Sequence, residues 1–225
     1  MISIIIPSKD EPYLQNLIEQ IHINVKERHE IIVVDKSKTT PSIKGAKVIL
    51  QKSDSLGNAV FEGFECSKGD KIVVMDADGS HQPKDIQKLV KWLDKYNIVL
   101  GMRKSEMSLF RRVISKISGW FVRIFFNVQV KDILSGFVAA RREVFKSIGI
   151  PNYTIGFKFV LLLIDRTNSV KEIPVIHPDR KAGRSKAKIK EIYRLFRVIW
   201  NIKIKGVKKF LLHSRFYKKF RGVIV

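Results

Sequence analysis

The chain has 225 residues, 45% of them hydrophobic, and carries 43 Lys and Arg against 21 Asp and Glu, a formal net charge of +22. That length and apolar content supply a sizeable core and exclude a disordered chain, while the charge asks for polyanionic partners: phosphorylated substrates, anionic lipid headgroups or nucleic acid. Cys66 is the one cysteine, which excludes a disulfide framework or a cysteine metal site and suits a reducing compartment.

Ser3 to Pro7 reads as a short strand of the kind buried on both faces, and its apolar run stops before Asp10 and Glu11, unlike a secretory leader. Leu14, Leu17, Ile18, Ile21 and Val25 then recur at helical spacing. Glu30–Asp35 and Lys47–Leu50 are two further strands, and Gly57–Glu65 is a helix carrying Val60, Phe61 and Phe64. The central strand, Ile72–Met75, ends in a pair of acids, Asp76 and Asp78. Pro83 opens a helix whose core face holds Ile86, Leu89, Val90 and Leu93, and Asn97–Leu100 is the next strand. This alternation predicts an α/β fold, a Rossmann-like, mostly parallel doubly wound sheet with right-handed crossovers. Ligands of such sheets bind beyond the carboxyl ends of the strands. Two acids one residue apart suit a hard divalent cation that keeps positions open for phosphate oxygens, although a polar turn after a strand uses the same residues.

Gly101–Ser108 leads into a predicted helix over Leu109–Asn127. Phe110, Val113, Ile114, Ile117, Trp120, Phe121, Ile124 and Phe125 share a wide apolar face, with Arg111, Arg112, Lys116 and Arg123 largely outside it. Core packing and a helix lying on a membrane surface both fit that pattern. Asp132–Phe137 reads as a polar turn, Arg142–Ile148 and Phe157–Arg166 as helices, and Val170–Ile176 as an edge strand because it contains Pro174. Beyond Arg180 the one acid is Glu191, and Ile192, Leu195, Phe196, Ile199 and Trp200 fall on one side of a helical repeat. Phe210, Phe216, Tyr217 and Phe220 then interleave with Lys218, Lys219 and Arg221. Residues 189–225 are therefore expected to form a basic amphipathic segment on anionic lipid, where each Lys or Arg contributes about 1 kcal/mol. No apolar stretch reaches the roughly 18–20 residues that span a bilayer. Attachment is expected to be peripheral, through such helices or through a membrane-embedded partner subunit.

In order along the chain, several segments resemble one family. Ile6-Pro7-Ser8-Lys9-Asp10-Glu11 resembles the first-loop motif of GT-A, family-2-type glycosyltransferases, Ile32-Val33-Val34-Asp35 their second strand, and Leu56-Gly57-Asn58-Ala59 the start of their next helix. Asp76-Ala77-Asp78 is similar to their metal-binding acid pair, and Ser80-His81-Gln82-Pro83 to the segment following it in dolichol-phosphate mannose synthases. Asp132–Phe137, with Arg141–Val144, resembles a motif of polyprenyl-phosphate sugar synthases, and Gly183-Arg184-Ser185-Lys186 looks like another.

The resemblance implies a GT-A catalytic domain over residues 1–188 that transfers a hexose, with inversion, to dolichyl or polyprenyl phosphate at the cytoplasmic face of a membrane. Mannose from GDP-mannose is the first expectation and a UDP-sugar the alternative. It implies Mg2+ or Mn2+ held by Asp76, Asp78 and Ser80. The nucleotide-sugar site would comprise Pro7, Ser8, Glu11, Val34, Asp35, Asp76, Ala77, Asp78, Arg180 and Lys186. Arg103, Arg111, Arg112 and Ser135 would receive the acceptor phosphate, and Asp78, Asp132 and Arg112 would be catalytic. The chain departs from the family at Lys36 (usually a second acid), Lys9 (an aromatic), Gly79 (Leu) and Leu162 (Glu). A different donor or acceptor, or a relative that binds without turnover, are the alternatives those departures raise. Nucleic-acid binding is not expected, because the aromatics lie on apolar faces. His81, alone in a loop, reads as solvated, with a role near the metal as the alternative; Asp10 and Asp54 read as surface acids.

Overall fold

The computed structural model describes residues 1–103, 119–133, 135–148, 159–176, 199–200 and 202–203. The chain divides into two compact units, Met1–Lys186 and Ala187–Val225. The first unit contains β1 (Ile2–Ser8), α1 (Leu14–Asn24), β2 (His29–Asp35), β3 (Lys47–Leu50), α2 (Leu56–Glu65) and β4 (Lys71–Val74). It continues through α3 (Ile86–Lys91), β5 (Ile98–Arg103), β6 (Val138–Arg141), α4 (Arg142–Lys146), α5 (Phe159–Ile164) and β7 (Val170–Val175). Short 3₁₀ turns at Pro83–Asp85 and Trp92–Asp94 flank α3.

The seven strands form one sheet in the order β3-β2-β1-β4-β6-β5-β7. All neighbours run parallel except β6, which is antiparallel to both β4 and β5. The α/β, mostly parallel architecture is thus the one the alternation predicts. The strands that lie inside it are Ile- and Val-rich because helices cover both faces: all seven residues of β1 are buried. One face packs on Leu14, Leu17, Ile18 and Ile21 of α1 and on Ile86, Leu89 and Val90 of α3. Helix α2 starts where the Ser55 hydroxyl accepts the Asn58 N–H at 3.1 Å. It lies close on the sheet at Gly63, where an added Cβ would sit 2.6 Å from Ile5 Cγ2 and 3.0 Å from Val34 Cγ2.

Two segments differ from expectation. Val138–Arg141, assigned to no element from the sequence, is a strand, its Val138, Ala139 and Ala140 buried between β4 and β5. The apolar face expected over Leu109–Asn127 also divides. Residues 119–126 are helical, yet Trp120, Ile124 and Phe125 are 58%, 54% and 41% exposed while Val122 and Phe126 are buried. Residues 109–118, like most of the expected segment 189–225, lie outside the described residues. Within the second unit, Ile199 and Ile202 are buried and Trp200 is exposed. Among the described residues no helix is long and apolar enough to cross a membrane.

Candidate active site

Because β6 runs against its neighbours, its start lies at the same sheet edge as the carboxyl ends of β1, β2, β4 and β5: Val138 pairs with both Val74 and Leu100. That topology carries Ser135 and Phe137 to the loop holding Asp76 and Asp78.

The acid loop is tightly determined. The Asp76 N–H donates to His81 Nδ1 at 2.9 Å, and the Ser80 N–H donates to Asp78 Oδ1 at 3.0 Å. Gly79 takes φ +75°, a left-handed turn that a leucine would adopt only with strain. His81 is 1% exposed and stacks on Phe137 with ring centroids 4.7 Å apart, so the solvated reading is wrong. Its Nδ1 accepts, so the ring proton of the neutral form sits on Nε2, which donates to the Ser135 carbonyl at 3.0 Å. His81 thereby pins the acid loop to Ser135 and Phe137, and its Nε2 lies 3.9 Å from Asp76 Oδ2.

Asp132 is buried and ends a charged fork: Arg103 Nε and Nη2 donate to its two oxygens at 2.8 and 2.7 Å, and the Arg103 N–H adds a third bond at 3.1 Å. Burial opposes the guanidinium charge, but the Asp132 contact, helped by Asp76, more than offsets it and raises the Arg103 pKa. Asp132 therefore holds Arg103 in place, and its own oxygens are occupied by that arginine.

Three hydroxyls at this edge, Ser8 Oγ, Ser80 Oγ and Ser135 Oγ, are buried without a hydrogen-bond partner among the described residues. Buried polar atoms are ordinarily paired, so such orphans mark where a polar ligand would complete the site. At the end of β2, Asp35 is wholly buried and accepts the Ser37 N–H and hydroxyl at 3.0 and 2.9 Å. Pro7 and Val34 pair across the strands. Val34 is fully buried, so it offers no side-chain surface to a ligand. Ala77 is buried and Glu11 half-buried. The Lys36 ammonium donates to the Ser53 carbonyl at 3.0 Å and to the carboxylate of Asp54, an exposed surface acid as expected. Leu162 is buried within α5, whose six residues are all inside. Arg111, Arg112, Arg180 and Lys186 lie outside the described residues.

Among the described residues no group of three or more His, Cys, Asp or Glu side chains could hold a metal ion. The donors at the edge are instead the two carboxylates of Asp76 and Asp78 with the orphan Ser80 hydroxyl. That set fits Mg2+ or Mn2+, hard ions commonly bound by one or two carboxylates and completed by substrate phosphates. A cavity of about 340 Å3 runs between α1 and the acid loop; Ala77, Gly79 and His81 line it with Asn16, Gln20 and Gln82, and its lining holds no carboxylate.

The sheet thus carries an acid pair and a half-buried arginine fork at its carboxyl edge. Residues 3–149 match the family described as Glycosyl transferase family 2, and the chain belongs to this family of glycosyltransferases. It is 33% identical to a dolichol-phosphate mannosyltransferase of Pyrococcus furiosus over 89% of this chain and 63% of that protein. It is 27% identical to a polyprenol monophosphomannose synthase of Mycolicibacterium smegmatis, over 81% and 79% of the two chains. The chain thus spans under two thirds of the length of the Pyrococcus relative. The fold is that of glucosyl-3-phosphoglycerate synthase from Mycobacterium tuberculosis, solved with Mn2+, UDP and phosphoglyceric acid: TM-score 0.66, 20% identity, 88% of this chain and 75% of that one.

The resemblance to the family was legible; the contacts that join His81 to Ser135, and Glu172 to Lys131 and Asp132, were not. Each joins partners distant in sequence, 54 residues for His81 and Ser135, and no local pattern announces it.

Proposed function

We propose that the chain transfers a hexose from a nucleotide sugar to a polyprenyl phosphate. The observation that carries this reading is the meeting of the acid pair Asp76/Asp78 and the Asp132-held Arg103 at one sheet edge, with Asp76 adding to the stabilisation of the Arg103 charge. In this reading the acid pair would take the donor diphosphate and Arg103 the acceptor phosphate. The relatives named mannosyltransferases support mannose, with GDP-mannose as donor; the UDP of the solved structures supports a UDP-sugar as the competing donor.

A divalent ion bound there would neutralise charge on the nucleoside diphosphate as it departs. Asp76 and Asp78 would hold that ion, and the orphan hydroxyls of Ser8, Ser80 and Ser135 would meet donor or acceptor oxygens. Asp35 would orient the nucleoside end from its Ser37-braced turn. Arg103 would fix the acceptor phosphate, whose oxygen attacks the anomeric carbon as the bond to the nucleoside diphosphate breaks and its electron pair leaves. With a second phosphate pKa near 6, that oxygen is largely unprotonated at neutral pH and no general base is required. Attack opposite the leaving group inverts the centre. In this reading Asp132 is a positioning residue, and Arg111, Arg112, Arg180 and Lys186 remain expected phosphate contacts.

Exposed Trp120, Ile124 and Phe125 beside exposed Arg123 support lipid contact, the composition of an interfacial helix. The reading includes peripheral attachment to a membrane, with the cytoplasmic face as the expected side. The test is transfer of label from GDP-mannose or UDP-glucose into a polyprenyl-phosphate fraction, with and without divalent ion. Label in the lipid from either donor supports the reaction and names the donor; none from either rejects it.

A further inference from the structure

Glu172 sits on β7 at the sheet edge, paired with Leu100 of β5, away from the donor and metal groups described above. Its two carboxylate oxygens accept the backbone N–H groups of Lys131 at 2.7 Å and Asp132 at 2.8 Å. A carboxylate that takes two successive amides fixes the backbone at the point where Asp132 leaves it. The Asp132 side chain has its own oxygens committed to Arg103, which contributes its backbone N–H as well as its guanidinium. Orientation of Asp132 must then come from its main chain, and Glu172 supplies it.

We infer that Glu172 is a positioning residue: it sets Asp132, and through Asp132 the Arg103 guanidinium. Of the uncharged side chains only Gln keeps the reach, and it offers one carbonyl oxygen where Glu offers two oxygens. The consequence for substrate is selective. Among the described residues Glu172 bonds to Lys131 and Asp132 and to none of the donor-side groups, so its loss displaces the group assigned to the acceptor phosphate and spares nucleotide-sugar binding. A displacement well under the length of a bond to phosphate suffices to weaken a bidentate contact.

The inference rests on Arg103 receiving the acceptor, as proposed above, so the test has one arm that needs turnover and one that does not. In the transfer assay, Glu172→Ala is expected to raise the acceptor KM about tenfold and Glu172→Gln about threefold, with the donor KM unchanged. A purely structural role would lower kcat with the folded fraction and leave both KM values alone, and that result overturns the inference. In amide hydrogen exchange, Glu172→Ala is expected to speed exchange at Lys131, Asp132 and Arg103 together by about tenfold, while the Met75 amide, bonded to the Ile5 carbonyl, keeps wild-type protection. An Arg103 amide that keeps full protection while Lys131 and Asp132 lose theirs breaks the relay and refutes the inference. If Glu172→Ala does not fold, Glu172→Gln carries both arms. Absence of turnover in the wild type counts against the proposed function alone, since the exchange arm still decides on Glu172.

Discussion

His81 anchors two loops through one ring. Replacing it by Phe would preserve the stack on Phe137 while leaving the Asp76 N–H and the Ser135 carbonyl without their partner. We expect His81→Phe to lose about 1–3 kcal/mol in urea unfolding, the penalty for stranding buried polar groups. Asp132→Ala strands a larger charge, the Arg103 guanidinium, whose side chain is only 20% exposed. A loss of about 3 kcal/mol by the same measurement is expected, and Asp132→Asn should recover only part of it. Asp78→Asn should behave differently. The unfolding midpoint should barely move, while metal-dependent nucleotide binding, read by calorimetry, should be lost. The pH behaviour of Glu172 follows from its surroundings: burial pushes its pKa up, the Asp132 charge adds to this, and the N–H groups of Asp132 and Lys131 restrain it only in part. A carboxyl raised on folding stabilises the fold while protonated and loses that contribution as pH rises from the ordinary value near 4.5 through the raised one. Unfolding of wild type and Glu172→Gln across that window should therefore show the difference shifting towards the Gln variant as pH rises. A constant difference would refute it.

At the scale of elements, the packing of α2 on β1 and β2 turns on Gly63. Alanine in a helix ordinarily gains about 1 kcal/mol over glycine. Here the new Cβ would meet Ile5 at 2.6 Å and Val34 at 3.0 Å, both deep in the sheet. Overpacking wins, and Gly63→Ala should destabilise by about 1–3 kcal/mol in urea unfolding. Most elements could be read from the chain, because long Ile- and Val-rich runs ending in Pro7, Asp35 or Asp76 have few other uses. β6 could not. Its Val138–Arg141 is four residues long and passes directly into α4, so no period develops within it. Its direction matters most for the site, since an antiparallel β6 is what brings Ser135 to His81. The acid pair was legible as chemistry at a strand end. The Asp132–Arg103 fork was not, since partners 29 residues apart meet only once β5 and β6 are neighbours. Arg103 and Asp132 were both singled out by resemblance, but not as each other's partner.

At the scale of the molecule, a net charge of +22 and the exposed Trp120, Ile124 and Phe125 make one joint prediction. The protein should sediment with vesicles containing anionic lipid, and raising salt should weaken but not abolish the binding, because screening removes the charge attraction and leaves the apolar contact. Trp120→Ala with Phe125→Ala should reduce partitioning about tenfold or more at high salt, since each buried ring contributes more than 1 kcal/mol. Equal partitioning of the double variant would remove helical residues 119–126 from the lipid-facing surface.

The central claim is that this sheet edge joins a nucleotide-sugar donor to a phosphate acceptor on a lipid. One measurement bears on it most directly: purified protein, Mn2+ or Mg2+, radiolabelled GDP-mannose or UDP-glucose and a polyprenyl phosphate, with label counted in the organic phase. The account predicts organic-phase label from one donor, abolished by EDTA and by Asp78→Ala in a protein that still folds. Nucleotide sugar that binds at the acid pair while no label reaches the lipid from either donor would contradict it.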